Sequence, residues 1–375
     1  MKIAVNCRLL VPNKMDGIGR FTYETLQRIT QRHSAHQFIL IFDRKIEEDT
    51  FQFSSNVTTV TIPPQARHPI LWTIWFEFKL KHYLNKNGFD LFISPEGWIP
   101  AGLNCKSLGV IHDLNFEHFP ENIIYSHRKY LQHYFPKYAK RADKVVTVSE
   151  YSKKDIAKTY GLTEADIAVV YNGANEVFKP LSKALQQEIR NSYSEGEEYF
   201  VFVGTLHPRK NLEHLFRAFD LFKKKSASKM KLLIVGNKKW WPSELEHIFQ
   251  SLEYQQDIVF VGRLEDEQLA NVLGSAKALT YLPYFEGFGV PILEAFQAEV
   301  AVITSDVTSM PEVANGAALL CGVKDVEAIA TAMKELVENE VKREELIAKG
   351  RKRATDFSWD KTSDLLWESI KKLTD

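Results

Sequence analysis

Short apolar runs, rich in β-branched and aromatic residues, alternate along the chain with longer amphipathic segments. The apolar runs lie at residues 3–7, 38–42, 57–62, 91–94, 107–111, 145–148, 200–203, 232–235, 258–261, 278–282, 300–304 and 318–320. Runs of this length predict buried strands. Segments with helical periodicity lie between many of them, at residues 18–32, 70–87, 127–142, 212–225 and 265–276. Strands that alternate with helices predict parallel sheets with right-handed crossovers, and therefore an α/β protein.

The length of the chain predicts two domains, because 375 residues exceed the size at which a single core keeps growing. The Asn172-Gly173 turn and the Lys179-Pro180 pair mark the boundary. We expect one doubly wound, Rossmann-like domain over residues 1–175 and a second over residues 176–356. Residues 357–375 predict a further helix, which we expect to cross back to the first domain. Two such domains facing an interdomain cleft would direct both sets of strand ends towards one ligand.

Charge and cysteine content exclude several classes of protein. Lysine plus arginine equals aspartate plus glutamate, at 48 each, so no global field would gather nucleic acid. The widely spaced Cys7, Cys105 and Cys321 are typical of a reducing compartment and form no zinc-binding pair. Residues 1–10 lack the apolar run of a signal peptide, and no later stretch has the roughly 20 apolar residues of a spanning helix. We therefore expect a cytoplasmic protein.

The most specific motif follows the apolar run at residues 278–282 and has the sequence EGFGVPILE, residues 286–294. A proline in the first helical turn and the preceding glycines predict a helix start whose backbone N–H groups could bind a phosphate. Its candidate donor-binding residues are Gly287, Phe288, Gly289, Val290 and Glu294. Glu294 lies within reach of a vicinal diol and Glu286 at the loop entrance, where a sugar could stand. The alternative is that both acids are solvated residues around a helix cap.

A second motif, residues 204–211, follows the predicted strand at residues 200–203. Its adjacent Arg209 and Lys210 would add two positive charges to a strand-loop-helix junction, which suits a diphosphate. An exposed basic turn is the alternative. Because Lys210 and Glu286 lie outside the apolar runs, we expect both outside the core.

The first half contains two weaker candidates. Gly17 and Gly19, in the run Asp16-Gly17-Ile18-Gly19-Arg20, follow the first strand and open a helix. Their spacing does not match a nicotinamide-binding fingerprint, and a plain turn is the alternative. His112 ends the strand at residues 107–111, where a lone histidine is often structural.

These motifs together resemble the family 4 retaining glycosyltransferases, and the likeness extends over nearly the whole chain. The resemblance implies the GT-B fold, with Glu294 on the donor ribose, Glu286 on the donor sugar and residues 287–290 on sugar hydroxyls and phosphate. It implies that Arg209 and Lys210 neutralise the diphosphate and that His112 contacts the donor sugar. The glycines at 17 and 19 would approach donor phosphate and acceptor from the opposite side. Where many members of the family have arginine, this chain has Thr205, which leaves a hydroxyl donor at most.

The resemblance also implies that the segment Gly262, Arg263 and Leu264 borders the nucleotide base. No residue cluster has convincing metal-ligand spacing, and two cations with a helix terminus could replace a divalent ion. We therefore expect no metal and no cofactor beyond a GDP- or UDP-linked sugar as donor substrate.

Aromatic residues at helical spacing between 70 and 87 favour core packing, with contact to a lipid-linked acceptor or membrane as the alternative: Trp72, Trp75, Phe76 and Phe78.

The sequence thus predicts an enzyme that transfers a hexosyl group, with mannosyl as the first candidate, from a sugar nucleotide to a hydroxyl of a carbohydrate or lipid-linked acceptor. As catalytic residues we predict Glu286, His112, Arg209 and Lys210. Similarity to mannosyltransferases of polysaccharide assembly favours GDP-mannose and glycolipid or polysaccharide synthesis, at the inner face of the membrane if the protein contacts one. The alternatives are a sugar-nucleotide 2-epimerase of the same fold and a non-enzymatic protein that binds sugars or nucleotides.

Overall fold

The computed structural model describes residues 1–12, 15, 17–47, 50–238 and 241–374. The chain divides into two compact units. The first comprises Met1–Asn172 together with Ser358–Asp375, and the second comprises Gly173–Phe357. The chain therefore completes one sheet, builds a second unit, and returns to the first unit for its last helix.

The first unit contains a seven-stranded parallel sheet. Its elements are β1 (Lys2–Asn6), α1 (Gly17–Arg32), β2 (Gln37–Phe42), β3 (Val57–Thr61), α2 (Pro69–Thr73), a π-helix (Ile74–Leu80), α3 (Lys81–Asn87), β4 (Leu91–Ser94), β5 (Lys106–Ile111), α4 (Asn115–His118), α5 (Tyr125–Arg141), β6 (Lys144–Thr147), α6 (Glu150–Tyr160) and β7 (Ile167–Val169). The strands lie in the order β3-β2-β1-β4-β5-β6-β7, and all neighbours are parallel. The sequence pattern missed β7, since three residues are too few to show a period.

The second unit contains a six-stranded parallel sheet. Its elements are α7 (Lys183–Ser194), β8 (Tyr199–Val203), α8 (Leu212–Ser226), β9 (Lys231–Val235), α9 (Ser243–Gln250), β10 (Ile258–Gly262), α10 (Asp266–Gly274), β11 (Ala278–Tyr281), α11 (Val290–Gln297), β12 (Ala301–Ser305), α12 (Met310–Ala314), β13 (Leu319–Cys321), α13 (Val326–Glu338) and α14 (Glu340–Ala354). The strand order is β10-β9-β8-β11-β12-β13. This order places β8 beside β11, so the segments that follow these two strands begin side by side.

Both faces of the first sheet are covered, because successive side chains of a strand point to opposite sides. In β1, Ala4 belongs to the core cluster on one face, whereas Ile3 and Val5 belong to the cluster on the other. Trp75 and Phe76 are fully buried in the first of these clusters. They are adjacent in sequence and lie in the π-helix. Hydrogen bonds in a π-helix join residues i and i+5, so its turns are wider than those of an α-helix.

The aromatic segment between residues 70 and 87 is only partly core. Trp72 is buried, as core packing predicts, but the prediction is wrong for Phe78, whose exposed fraction is 65%. Ile70 at 66% and Ile74 at 36% are exposed as well, eight and four residues before Phe78. We call these three residues the apolar stripe. No helix in the described parts of the chain is both long and apolar enough to span a bilayer.

The last helix, α15 (Trp359–Thr374), packs on α1 of the first unit. The indole ring of Trp367 stacks on the His33 imidazole with ring centroids 3.8 Å apart. Arg32 Nη1 donates to Asp364 at 2.7 Å, and Thr362 Oγ1 donates to the Tyr171 carbonyl at 2.7 Å. An apolar face and these polar contacts together hold the end of the chain against the first sheet.

We predict that Trp367→Ala destabilises the first unit by about 3–5 kcal/mol, because it removes a large buried ring and leaves a cavity. Leu365→Ala is the matched control on the same helix, since Leu365 is exposed. Urea unfolding of the full chain measures both free energies. Equal stability of the two variants would contradict the assignment of α15 to the core of the first unit.

Candidate active site

The two most specific motifs meet at the carboxyl edge of the second sheet. Residues 204–211 leave the end of β8, and residues 282–289 leave the end of the neighbouring β11. A backbone hydrogen bond of 2.8 Å from Tyr284 N to Arg209 O ties the two segments together. Parallel pairing of β8 with β11 therefore joins residues that are far apart in sequence.

Glu286 lies at the centre of this junction. Its Oε1 atom is 2.7 Å from Arg209 Nη1 and 2.5 Å from Lys210 Nζ, so both cations contact one carboxylate oxygen. Lys210 Nζ also donates to the Tyr281 hydroxyl at 2.7 Å, at the end of β11. The structure thus brings together three of the four predicted catalytic residues and adds a tyrosine that the sequence analysis did not consider.

The expectation that Lys210 and Glu286 lie outside the core is wrong. Their exposed fractions are 8% and 9%. Each charge is buried because the other compensates it, and a buried ion needs such a partner. No local pattern could show this burial, because Lys210 and Glu286 are 76 residues apart in sequence and meet only in the folded sheet.

Burial by itself would raise the pKa of Glu286, but the charges of Arg209 and Lys210 hold this pKa below its ordinary value of 4.5. The opposite holds for Tyr281, where burial and the neighbouring Glu286 carboxylate raise the pKa well above 10.0. Near neutral pH the junction therefore contains an ionised carboxylate and a neutral phenol.

A short turn aims the two cations at Glu286. Pro208–Lys210 form one turn of 3-10 helix, and the following Asn211 has a left-handed backbone, with φ of 60°. The His207 ring accepts a hydrogen bond from Arg209 N at 3.3 Å, and Asn211 Nδ2 donates to the Val323 carbonyl at 2.6 Å. The turn is thus anchored on both sides of Arg209 and Lys210.

The loop that carries Glu286 is anchored by Ser309, a residue that the sequence analysis missed. The buried Ser309 hydroxyl contacts the carbonyl oxygens of Glu286 at 2.9 Å and Phe288 at 3.1 Å. Gly289 has φ of +99°, and a Cβ atom there would lie 2.7 Å from the Met310 side chain. The left-handed backbone therefore favours glycine at this position, and any larger residue would also have to displace the end of the Met310 side chain. The only sequence signal was a serine directly before the Met310-Pro311 pair, where a helix begins.

The remaining residues of this motif take different positions. Val290 is the first residue of α11, and Glu294 lies half-buried one turn further on. The Phe288 ring is buried edge-on against Phe357, with centroids 5.7 Å apart, so its side chain is part of the core. With its ring buried, Phe288 could contact a ligand only through its backbone, and the predicted contact of that backbone with the donor stays a prediction.

Three glycines line the strand ends on the other side of Arg209. Gly204, Gly236 and Gly262 follow or end β8, β9 and β10, and all have positive φ. A Cβ atom at Gly236 would lie 1.8 Å from the Gly204 carbonyl oxygen, so the backbones touch there. This contact was not predicted, because a lone glycine after a strand is a weak signal.

The predicted base-bordering residues lie further along this edge. Of these, Gly262 and Arg263 are exposed and Leu264 is half-buried; Thr205, the predicted hydroxyl donor after β8, is also exposed. Gly262 ends β10, two strands from β8, and therefore lies roughly 10 Å from the β8 end at ordinary strand spacing.

In the first unit, His112 directly follows β5. Its Nε2 atom is 2.9 Å from the Pro95 carbonyl oxygen, and its ring meets Phe21 edge-on at a centroid distance of 5.1 Å. Because Phe21 belongs to the first turns of α1, this contact brings the start of α1 close to His112. Gly17 is exposed at that start and Gly19 is buried, whereas Asp16 lies outside the described residues.

A buried polar cluster at the ends of β1 and β4 escaped the sequence analysis. Glu96 accepts hydrogen bonds from Asn6 Nδ2 at 2.6 Å and from Arg8 Nε at 3.0 Å. The Arg8 guanidinium lies over the Trp98 ring, 4.9 Å from its centroid. Strands β1 and β4 are neighbours in the sheet. The sequence signal was a charged residue shortly after each of two strands.

Among the described residues, no three histidine, cysteine, aspartate or glutamate side chains form a group with metal-binding geometry. The three cysteines are free thiols.

Two Rossmann-like units, one of which gathers two cations and a carboxylate at its strand ends, are typical of GT-B glycosyltransferases. Comparison with known families agrees with this class. Residues 15–177 match the family described as Glycosyltransferase Family 4, and residues 186–353 match the family described as Glycosyl transferases group 1. The two matches span most of the chain, which therefore belongs to the family 4 glycosyltransferases, and the resemblance found in the sequence is confirmed.

Two curated relatives are bacterial transferases. The chain is 27% identical over 271 residues to O-antigen chain mannosyltransferase B of Escherichia coli, covering 72% of this chain and 71% of that protein. It is 26% identical over 281 residues to O-antigen chain mannosyltransferase RfbU of Salmonella typhimurium, covering 75% and 74%. Nothing in these relatives supports the epimerase or binding-protein alternatives.

Solved structures confirm the fold. Sucrose-phosphate synthase from Thermosynechococcus elongatus superposes with a TM-score of 0.79 at 18% identity, covering 99% of this chain and 98% of that chain. The glycosyltransferase WaaG, involved in lipopolysaccharide biosynthesis, has a TM-score of 0.75 at 16% identity and 99% coverage of both chains. HepE of Anabaena, solved with UDP and glucose, has a TM-score of 0.77 at 15% identity and complete coverage.

The ion pairs at Glu286 predict a specific pH dependence of stability. Because the folded-state pKa of Glu286 is lowered, its contribution is complete above its ordinary pKa and is lost as the pH falls through the folded value. We therefore expect the difference in unfolding free energy between the wild type and Glu286→Gln to stay constant from pH 7 to about pH 5 and to shrink as the pH falls further, below 4.5 and towards about pH 3. Urea unfolding across this range measures it. A difference that stays constant or grows as the pH falls below 4.5 would contradict the ion pairing.

Proposed function

We propose that this glycosyltransferase moves a mannosyl group from a GDP-linked donor to a hydroxyl of a carbohydrate acceptor during polysaccharide synthesis. The two O-antigen mannosyltransferases among its relatives support the choice of sugar and pathway class. The observation that carries the proposal is the convergence of Arg209 and Lys210 beside Glu286 at the strand ends of the second unit. The expected compartment is the cytoplasm, in line with the three free cysteines.

In this proposal Arg209 and Lys210 bind the donor diphosphate. Both are held by anchored loops, so little reorganisation is needed when negative charge develops on the leaving phosphate. The start of α11 lies on the same loop as Glu286, and its backbone N–H groups favour an anion. Two side-chain cations and a helix terminus can do the work of a divalent ion, so we propose a metal-independent reaction.

Glu286 and Glu294 would bind the neutral parts of the donor. The Glu286 carboxylate lies beside the cations, where the sugar attached to the diphosphate would stand, and it can accept hydrogen bonds from two hydroxyls. Glu294 lies one turn into α11 and would accept from the ribose hydroxyls. Gly262, Arg263 and Leu264, two strands away, would border the base.

We propose transfer with retention by attack on the same face of the sugar. The bond between the anomeric carbon and the phosphate oxygen breaks, and the acceptor oxygen forms a bond to that carbon on the same face. The acceptor proton passes to the departing phosphate oxygen, so no separate protein base is required. The chain's residues then act by position and charge.

Thermal-shift measurements with GDP, UDP and ADP test the nucleotide assignment, because a ligand that binds only the folded state raises the melting temperature. We expect the largest rise with GDP. No rise with any nucleotide would contradict the proposed function, and a larger rise with UDP would change the donor.

We expect Arg209→Ala and Lys210→Ala to lower kcat/KM by about a hundredfold each, because each removes a charge that stabilises the leaving diphosphate. Lys277→Ala is the matched control: Lys277 pairs with Glu198 just before β11, at the opposite edge of the sheet. Transfer of labelled mannose measures activity, and circular dichroism checks folding. Full activity of either site variant would refute the role of that residue.

We further propose that the first unit contacts an anionic membrane surface through the apolar stripe. Ile70, Ile74 and Phe78 are exposed at intervals of four residues, and Lys79 and Lys86 are exposed nearby on the same segment. An apolar face with basic neighbours is typical of helices that lie at an anionic lipid interface. A lipid-linked acceptor would then be presented at the membrane.

Replacing Ile70, Ile74 and Phe78 with serine should lower binding to phosphatidylglycerol vesicles on the order of tenfold, because the apolar surface that would enter the interface is removed. Val341→Ser is the control, since Val341 is exposed on α14 of the second unit. Vesicle co-sedimentation measures the bound fraction. Unchanged binding by the triple variant would refute this surface.

A further inference from the structure

The cations assigned to the donor diphosphate already have an anionic partner within the protein. Arg209 and Lys210 both contact the same oxygen of Glu286, at 2.7 and 2.5 Å. A phosphate oxygen that approached either cation would compete with this carboxylate. A role limited to binding the sugar would not require Glu286 to bridge both cations.

We propose that Glu286 is a specificity-determining residue that competes with the diphosphate for Arg209 and Lys210, so that the site selects a sugar nucleotide over a bare nucleoside diphosphate. This inference rests on the proposed function and adds a second role for Glu286. The Glu286 carboxylate pairs with Arg209 and Lys210 before a donor binds. When a donor binds, the carboxylate must exchange these cations for other hydrogen-bond donors.

The selection follows from the cost of leaving a buried carboxylate without partners. Glu286 is buried, and an ion in such a position is stable only while it is paired or hydrogen-bonded. When a diphosphate takes over the cations, the carboxylate needs new donors. The hydroxyls of the attached sugar supply them in a sugar nucleotide. In a bare nucleoside diphosphate no sugar is attached to the terminal phosphate, so these hydroxyls are missing.

Charge acts in the same direction. The diphosphate of a sugar nucleotide carries two negative charges, whereas a terminal phosphate titrates near pH 6 and adds most of a third at neutral pH. In a nucleoside diphosphate this extra charge lies where the sugar would be, next to Glu286. Repulsion between the two anions therefore penalises the bare nucleotide, which is also the product of transfer.

Tyr281 keeps Lys210 in place during the exchange. Its hydroxyl accepts a hydrogen bond from Lys210 Nζ at 2.7 Å, and its ring lies 4.9 Å from the same nitrogen. The phenol is fully buried and stays neutral, since burial and Glu286 raise its pKa well above 10.0. Lys210 therefore retains one fixed partner when the carboxylate leaves.

Isothermal titration calorimetry with GDP and UDP, each alone and as its sugar nucleotide, tests the inference. Glu286→Gln keeps the shape of the side chain but removes its charge, and we expect it to bind the bare nucleotide about tenfold more tightly than the wild type does. Its affinity for the sugar nucleotide should not rise in parallel, so the preference for the sugar nucleotide falls. Glu286→Asp withdraws the carboxylate from the cations, and we expect a smaller gain; this variant serves if Glu286→Gln does not fold.

Glu213→Gln is the matched control. It removes one negative charge from the start of α8, next to the cation turn, but Glu213 pairs with Arg217 and not with Arg209 or Lys210. We expect its affinity for the bare nucleotide to stay within twofold of the wild type. An equal gain in this variant would show a long-range charge effect and overturn the inference.

Two failures are distinguishable. If the wild type binds neither nucleotide nor sugar nucleotide, the proposed function is wrong and the inference falls with it. If the wild type binds them but Glu286→Gln binds the bare nucleotide equally or more weakly, Glu286 does not compete for the cations, and only the inference is wrong.

Discussion

Two cations held against one buried carboxylate oxygen are the interaction on which the arrangement of the strand-end loops in the second unit depends. Burying Lys210 and Glu286 separately would be costly, and their pairing with each other and with the half-buried Arg209 makes this burial stable. This pairing needs the turn after β8 and the loop after β11 to keep a fixed separation. The hydrogen bonds of Ser309, the left-handed Asn211 and the left-handed Gly289 serve that one requirement. A ligand that exchanges partners with Glu286 uses a geometry that already exists.

The first unit shows the same arrangement with a different outcome. Arg8 and Glu96 also lie after neighbouring parallel strands and also form a buried pair. Here Asn6 and the aromatic Trp98 surround the pair, and the Arg8 guanidinium donates to the Ala66 carbonyl as well. These contacts link the ends of β1 and β4 to distant loops, so the pair stabilises the fold at this edge of the sheet. Parallel sheets bring charged residues together at their carboxyl edges, and the surroundings determine whether such a cluster binds a ligand or braces the fold.

Much of the fold followed from pattern alone, because buried parallel strands are continuous apolar runs and their crossover helices are amphipathic. The prediction failed where an element was too short or its environment came from elsewhere. Strand β7 has three residues, and Phe78 lies in the π-helix with its side chain exposed, because none of the described residues of the first unit covers that side of the segment. For the site, Glu286, Arg209 and Lys210 were found as two separate motifs. Their burial, and the roles of Tyr281 and Ser309, depend on contacts between segments about 20 to more than 70 residues apart.

The sequence by itself determined the order of strands and helices, the two sheets, and the chemical groups available at the strand ends, because these depend on local periodicity and on residue type. Only the tertiary structure decided which of those groups meet. The pairing of β8 with β11 placed both cations on one oxygen of Glu286, and it made that acid a buried ion instead of a solvated one. Distances between strand ends arise from sheet order, which no local pattern contains.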